Sequence, residues 1–373
     1  MRFHSVSTVA FRNLKDGITA TNVHDVFLIG KNGQGKTNFL ESLYFCSYAA
    51  SFRGVKDAGL INVQKENCAV TATVDTGFVP RKLTVKIENG AKTIIVDDKK
   101  IDDRKNLLSL VPSVIFCHED MDFVTGSPER RRWFFDQNRS LYDTQYLDDL
   151  RRYRKILRMR NIVLKEAQTK SNIDVLDTLD AQLIEYGLRL MEKRSLEAKK
   201  FSTLFGPIYE AVSSIDGIQV MYRSSWKEMN ADEIAKKLTA DRQREIVFGS
   251  SLSGPHRDRY EFIRNKKNFI TTASTGQLRL LALLLRVSQT TRYKEVTGDC
   301  PVLLIDDVLL ELDGEKRQRF LAVMPEYEQA FFTFLPEEPF ECYQKNDSLV
   351  FDVANGDLTL RNSGTVVFAP GDT

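Results

Sequence analysis

The residues Gly30-Lys31-Asn32-Gly33-Gln34-Gly35-Lys36-Thr37 have the types and spacing of a phosphate-binding loop, G-x-x-x-x-G-K-[ST]. Each fixed type has a chemical reason. Gly30, Gly33 and Gly35 let the backbone curl until successive N–H groups point at one anion. Lys36 is spaced to reach the β- and γ-phosphates as a point charge, and Thr37 to place a hydroxyl on Mg²⁺. Lys31, Asn32, Gln34 and Asn38 complete the stretch assigned to the nucleotide. A short apolar run at 26–29 precedes the loop, and a helix over 37–50 follows it, with Phe39, Leu43 and Ala50 on its inner side. That helix would offer its positive end to the anion. The plain alternative, a glycine-rich turn with an exposed lysine, does not explain this strand-before, helix-after context.

Such a loop needs an acidic partner at the end of a neighbouring strand. The apolar run at 301–305 ends in Asp306-Asp307 and reads as a strand buried on both faces. Asp306 is placed to hold the metal with Thr37, and Asp307 to orient or deprotonate an attacking water. Lys36, Asp306 and Asp307 are therefore the expected catalytic residues. Taken alone, an Asp-Asp strand end is weak; it gains weight from the loop. Lys36 and Asp306 stand 270 positions apart, too far for compact nucleotide kinases, GTPases or an ABC transporter subunit. Upstream of Asp306, Ser274-Thr275-Gly276-Gln277 opens a helix expected over 277–288. In ABC-class ATPases a Ser-x-Gly-Gln signature covers the γ-phosphate held by a second subunit, which assigns Ser274, Gly276 and Gln277 to the nucleotide. The plain alternative is an ordinary helix N-cap.

The elements that must position these groups fall into three zones: 1–125, 126–240 and 241–373. The first reads as strands plus the loop helix, including alternating runs at 71–74, 82–87 and 93–96, a turn at Asn89-Gly90 and a strand at 111–116. The second is helical. Leu176, Leu179, Leu183, Tyr186 and Leu190 recur at 3-4-3-4 spacing, and the seam then meets Lys193 and Glu197. This predicts a short packed arm with Asn172 and Ile173 in the connection between its helices. The third zone returns to mixed structure and ends in strands over 349–368 with a turn at Asn355-Gly356-Asp357. The fold class is α/β: a P-loop ATPase head with a mixed sheet, interrupted by an inserted helical arm.

Composition bounds the rest. The chain has 373 residues, 42% apolar and 28% charged, enough for a large core without staples. Its apolar runs are too short to span a bilayer, and Met1 to Lys15 lacks a secretory apolar segment, so a cytoplasmic protein without a membrane partner is expected. Five scattered cysteines and four histidines form no CxxC and no HExxH. Net charge is only +2, so contact with a polyanion must rest on local charge. From 129 to 165 there are 11 Lys/Arg against 5 Asp/Glu, and Arg151, Lys155 and Arg158 share one helix face. That stripe would neutralise DNA phosphates without reading bases; a solvated face is the alternative. Lys266-Lys267 is a second basic patch. His256 reads as scaffold, Trp133 and Phe134-Phe135 as core, and His118-Glu119-Asp120 as a loop near the metal or water.

Several blocks together resemble the RecF family, whose heads are built like those of the SMC/ABC class. They are Asn32 to Asn38 with Leu40-Glu41-Ser42-Leu43-Tyr44, Phe11-Arg12-Asn13, Ser51-Phe52-Arg53, Gly126-Ser127-Pro128-Glu129-Arg130-Arg131-Arg132, Arg160-Asn161, Ser253-Gly254-Pro255-His256-Arg257-Asp258 and Asp306-Asp307-Val308 with Glu311-Leu312-Asp313. They run almost end to end in consistent order. The resemblance implies ATP and Mg²⁺ as ligands and a homodimer formed on ATP, with Asp313 in the loop that crosses it. It further implies duplex DNA and single-strand/double-strand junctions as targets, and RecR, RecO and RecA as partners in loading recombinase. The sequence departs from the family at Thr275, Leu278 and Arg259, and carries Phe332-Thr333-Phe334-Leu335 where a threonine run is usual. A nucleotide-gated scaffold that does not hydrolyse ATP therefore stands as the alternative, with a transporter subunit behind it.

Overall fold

The computed structural model describes residues 1–77, 79–168, 174–344 and 347–361. The expected connection at Asn172 and Ile173, and the tail expectation over 362–368, lie outside the described residues. The chain divides into two compact units. The first comprises Met1–His118, Asp299–Glu311 and the piece beginning at Glu326; the second comprises Glu119–Gly298 and Leu312–Pro325.

In the first unit two six-stranded sheets enclose the loop helix, Lys36–Tyr48. One sheet is mixed, in the order Asp357–Leu360, Ser348–Ala354, Asp25–Ile29, Ala330–Phe334, Val302–Ile305, Ser113–Phe116. Its last five strands are mutually parallel. Every residue of Asp25–Ile29, Val302–Ile305 and Ala330–Phe334 is buried, as a parallel sheet covered on both faces requires. The other sheet is antiparallel and alternates inward apolar with outward polar residues, as in Cys68–Asp75 and Arg81–Glu88. Asn89-Gly90 joins two of its strands in a two-residue turn with φ of 50° and 73°, the left-handed pair that matches strand twist. Gln329 stitches this sheet to the mixed one: it accepts from Phe3 N–H and donates to the carbonyls of Phe3, Thr21 and Val23.

The second unit is built on a 40-residue helix, Asp174–Ser213. Leu176, Leu179, Leu183 and Leu190 are buried along it. Thr144–Glu166 packs against the helix through Tyr146, Leu150 and Tyr153, and Ala231–Phe248 through Ile234 and Leu238. The apolar seam stops at Lys193 and Glu197, but the packing does not. Glu197 is buried and accepts from Arg139, Tyr142 and Arg292. The seam thus continues as an ionic layer that hydropathy cannot display.

The unit boundary differs from the sequence expectation at three places, the first being 119–125, which cluster with the helical unit and not with the head. Residues 241–298, expected to rejoin the head, cluster with the helical unit, because Thr275–Thr297 packs along the long helix. The segment 312–325 does the same through its helix Gly314–Ala322.

Arg160 and Arg194 are among the arginines buried in this second unit. Arg160 donates to Asp180 at 2.5 Å, Glu245 at 2.7 Å and Ser251 at 2.8 Å with no exposed surface. Arg194 bridges Asp136 at 2.9 Å and Asp258 at 3.0 Å. Removing one partner from such a nest strands the others in low dielectric. Arg160→Ala is expected to cost about 3–5 kcal/mol, seen as a lower denaturant midpoint for the helical signal. Arg158→Ala, at an exposed position on the same helix, should leave that midpoint within about 0.5 kcal/mol of wild type.

Candidate nucleotide-binding site

The parallel register decides where the chemistry gathers. Ile29 pairs with Phe334, and Ile305 with both Phe332 and Phe116. The last rungs are Gly30 N–H to Phe334 O at 3.1 Å and Asp306 N–H to Phe116 O at 2.9 Å. The phosphate loop and the Asp306-Asp307 pair therefore leave the sheet at one edge, beyond the carboxyl ends of its strands, where open α/β sheets bind ligands. Gly33 and Gly35 take φ of 78° and 120°, and Gly35 caps the loop helix.

At that edge, Lys36 is 4% exposed; its Nζ donates to Gly30 O at 2.7 Å and lies 3.8 Å from Asp307 Oδ2. Thr37 Oγ1 donates to Asp306 Oδ1 at 2.9 Å. Thr333, on the strand between the loop strand and the Asp306 strand, binds both acids: its Oγ1 lies 3.1 Å from Asp306 Oδ1 and 2.7 Å from Asp307 Oδ1, and accepts from Asp307 N–H at 2.8 Å. Asp307 itself sits at φ 54°, a left-handed conformation that turns its carboxylate back over the edge. Burial pushes the Asp306 carboxyl up to about 6, helped by the negative charge of Asp307.

A cleft of about 250 Å³ opens here, bounded by the loop, Arg53 and Asp307. Its donors suit a magnesium nucleotide. One carboxylate and one hydroxyl are hard oxygen ligands, and Mg²⁺ takes its remaining positions from water and phosphate. Among the described residues, no group of three or more His, Cys, Asp or Glu gathers into a cage. A cation at Asp306 would also neutralise the charge that burial disfavours.

Three residues here escaped the motif reading: Thr333, Arg53 and Asn13. Arg53 donates to Asn38 Oδ1 at 3.0 Å, Asn38 to Asn13 Oδ1 at 2.7 Å, and Asn13 to Gly33 O at 3.4 Å. Arg12 and Ser51 both bind the buried Glu41 carboxylate of the loop helix. The Phe11-Arg12-Asn13 and Ser51-Phe52-Arg53 blocks were the available signal, but no spacing rule tied them to the loop. Gln34 was assigned to the nucleotide, yet its side-chain oxygen accepts from Asn355 N–H at 2.8 Å.

The other expected residues belong to the second unit. Ser274 caps Thr275–Thr297 with a full capping box: Ser274 Oγ accepts from Gln277 N–H at 3.3 Å, and Gln277 Oε1 from Ser274 N–H at 2.8 Å. Ser274, Thr275 and Gly276 are exposed, and a Cβ at Gly276 would meet nothing within 4 Å. Asp313 caps Gly314–Ala322 and pairs with Lys316 at 2.6 Å, which holds its carboxyl below the usual range. Lys155 and Arg158 are exposed; Arg151 is half-buried, 3.7 Å from Asp148. Lys266 and Lys267 are exposed at a tight turn. Asp120 is buried against Arg286 at 2.7 Å. Phe134 and Phe135 are core, and Trp133 stacks on Phe123. His256 Nε2 lies 3.1 Å from the Ser251 carbonyl, so that nitrogen carries the proton and Nδ1 accepts from Tyr153 OH at 2.8 Å; burial pushes its pKa down to about 4 and keeps it neutral.

The family model for the RecF/RecN/SMC N terminal domain matches residues 3–355. The DNA replication and repair protein RecF of Treponema pallidum is 39% identical over 352 residues, covering 94% of this chain and 99% of that one. That of Ligilactobacillus salivarius is 31% identical, covering 95% and 97%. Among solved structures, the recombination mediator protein RecF with ATP, of the RecFOR pathway, superposes with a TM-score of 0.88 at 28% identity, covering 96% and 97%. An Smc head domain from Pyrococcus furiosus shares the fold, with a TM-score of 0.54 at 14% identity over 96% and 95%. The fold is therefore that of an SMC-like P-loop head with a helical unit. No helix among the described residues is long and apolar enough to cross a membrane.

The raised Asp306 has a stability sign. Its proton is held more tightly folded than unfolded, so the group's contribution is full below about pH 4 and is lost as pH rises through about 6. Asp306→Asn removes that loss. Melting at pH 8 without nucleotide should show a Tm equal to or above wild type, while Mg²⁺-dependent nucleotide binding falls at least tenfold, on the order of one lost charge-assisted contact. A variant that melts lower and keeps Mg²⁺ dependence would move the metal site elsewhere.

Proposed function

The chain belongs to the RecF family of SMC-like P-loop ATPases, and from that premise we propose that it is an ATP-gated DNA-repair clamp. The carrying observation is that Lys36, Thr37, Asp306 and Asp307 meet at one sheet edge although the sequence holds them 270 positions apart. Lys36 gives up the Gly30 carbonyl for the β- and γ-phosphates, to which its charge is better matched. Thr37 and Asp306 are the groups that would hold Mg²⁺, which supplies charge neutralisation to the phosphates when bound. Asp307, oriented by Thr333, is aimed to accept a proton from water at the γ-phosphate.

The exposed N-terminus of Thr275–Thr297 supplies the second half. Ser274 presents an exposed hydroxyl, and Gly276 an open approach to the first turn of the helix, which suit the γ-phosphate held by another copy. ATP then bridges two copies and ADP does not, which makes ATP the differential ligand. Closure of the dimer would bring the Arg151, Lys155 and Arg158 faces to duplex DNA at a single-strand gap. By family, RecR and RecO would engage there and RecA would be loaded. The relative solved with ATP is described as a recombination mediator of the RecFOR pathway, in support of this reading.

Three variants test it. Lys36→Ala should lose ATP affinity or turnover with its melting temperature retained, in nucleotide titration and phosphate release. Asp307→Asn should keep ATP binding and slow release by about 10²–10⁴-fold; unchanged turnover in that variant would move the proton-accepting role to another residue, and no turnover in wild type with duplex DNA would favour the non-hydrolysing scaffold instead. Ser274→Arg should bind ATP as a monomer yet lose both the dimer in light scattering and salt-sensitive DNA affinity. A dimer that forms equally with ADP would refute gating.

A further inference from the structure

The hairpin formed by Ser348–Ala354 and Asp357–Leu360 runs along the phosphate loop and touches it repeatedly. Its first strand is parallel to the loop strand, with Asp352 in register with Ile29. The Val353 carbonyl then covers Gly30 so closely that a Cβ there would come within 2.4 Å of its oxygen. At the hairpin turn, Gly356 N–H donates to Gln34 O at 2.8 Å and Asn355 N–H to Gln34 Oε1 at 2.8 Å. The turn is held from its other side by Lys15: the Lys15 N–H donates to Gly356 O at 2.9 Å, and Nζ pairs with Asp357 at 2.7 Å. A Cβ on Gly356 would fall 1.8 Å from Asn13 O.

A phosphate loop works by aiming several amides at one point, and an unbraced glycine-rich segment loses much conformational freedom when it does so. A trans peptide is planar, with C=O and N–H on opposite sides. Fixing the Gln34 carbonyl on the hairpin therefore aims the Gly35 N–H away from the hairpin. Gly35 lines the cleft.

We propose that the Asn355-Gly356 turn is a positioning element of the nucleotide site, which pre-sets the loop's amides through Gln34, and that Gln34 is the receptor for this brace and not a nucleotide ligand. The proposal rests on the nucleotide-binding reading above. It places the C-terminal hairpin, far from every recognised motif, inside the binding machinery.

Gly356→Ala tests it against a matched control, Gly90→Ala. Both glycines are second in an Asn-Gly turn, at φ 78° and 73°, but a Cβ at Gly90 would meet nothing within 4 Å. Mg²⁺-ATP affinity is measured by fluorescent-nucleotide titration of the full chain, at a temperature where melting curves show each variant folded. Gly356→Ala should weaken binding by roughly tenfold or more, as when only a minor fraction of the loop is competent, while Gly90→Ala binds as wild type. Hydrogen exchange without nucleotide should quicken at Gly35 and Lys36 in Gly356→Ala alone. If Gly356→Ala does not fold, Gln34→Leu, which removes only the acceptor for Asn355, should quicken the same amides and weaken binding. Wild-type affinity and exchange in a folded Gly356→Ala, or equal losses in Gly90→Ala, overturn the brace while ATP binding stands. No ATP binding by wild type overturns the nucleotide reading and the brace with it.

Discussion

Burial of three adjacent parallel strands on both faces is the constraint from which the rest of the first unit follows. Asp25–Ile29, Ala330–Phe334 and Val302–Ile305 leave no solvent-facing position, so an unpaired polar side chain within them would cost more than the fold can spare. Polar chemistry is displaced to the strand ends, and parallel register brings those ends to one line. Of the two polar residues there, Asp25 sits at the opposite strand end and accepts from Tyr327 OH at 3.0 Å, and Thr333 lies toward the edge that carries the acids. Thr333 is 3% exposed and keeps its hydroxyl satisfied by the two acids and a backbone amide just beyond the sheet. The same hydroxyl that the core must satisfy thereby orients the acids.

Charge is buried in both units, with opposite results. Around Arg160 and Arg194, each guanidinium meets two carboxylates and further acceptors, and the nest is closed. Such a nest contributes specificity of packing more than net stability. Asp306 is buried beside a second carboxylate, Asp307, and its hydroxyl partners carry no charge. That imbalance is what a cation or a phosphate-bound metal would correct, and it distinguishes a binding site from a scaffold. His256 belongs with the scaffold: both ring nitrogens are engaged, and burial keeps it neutral.

The basic count of the 129–165 segment illustrates how composition overstates a surface. Arg160 is wholly internal, Arg139 is spent on Asp143 and Glu197, and Arg154 lies 3.5 Å from Asp136. Of the eleven, Arg130, Arg152, Arg154, Lys155, Arg158 and Lys165 are exposed.

The local parts were legible in the sequence because local rules govern them. The phosphate loop, its helix, the Asn-Gly turns, the Ser274 cap and the apolar strands each follow from residue type and short spacing. The order of blocks was enough to suggest the family. What tertiary structure alone decided is which distant segments share an edge. Thr333 reaches Asp306 and Asp307 only because its strand inserts between theirs and the loop strand. Residues 241–298 join the helical unit only because one helix packs along another. The Gln34 side chain is turned toward Asn355 by a hairpin over 300 residues later. Each joins segments far apart in the chain through strand register or helix packing that no short spacing encodes, so only the folded structure selects them.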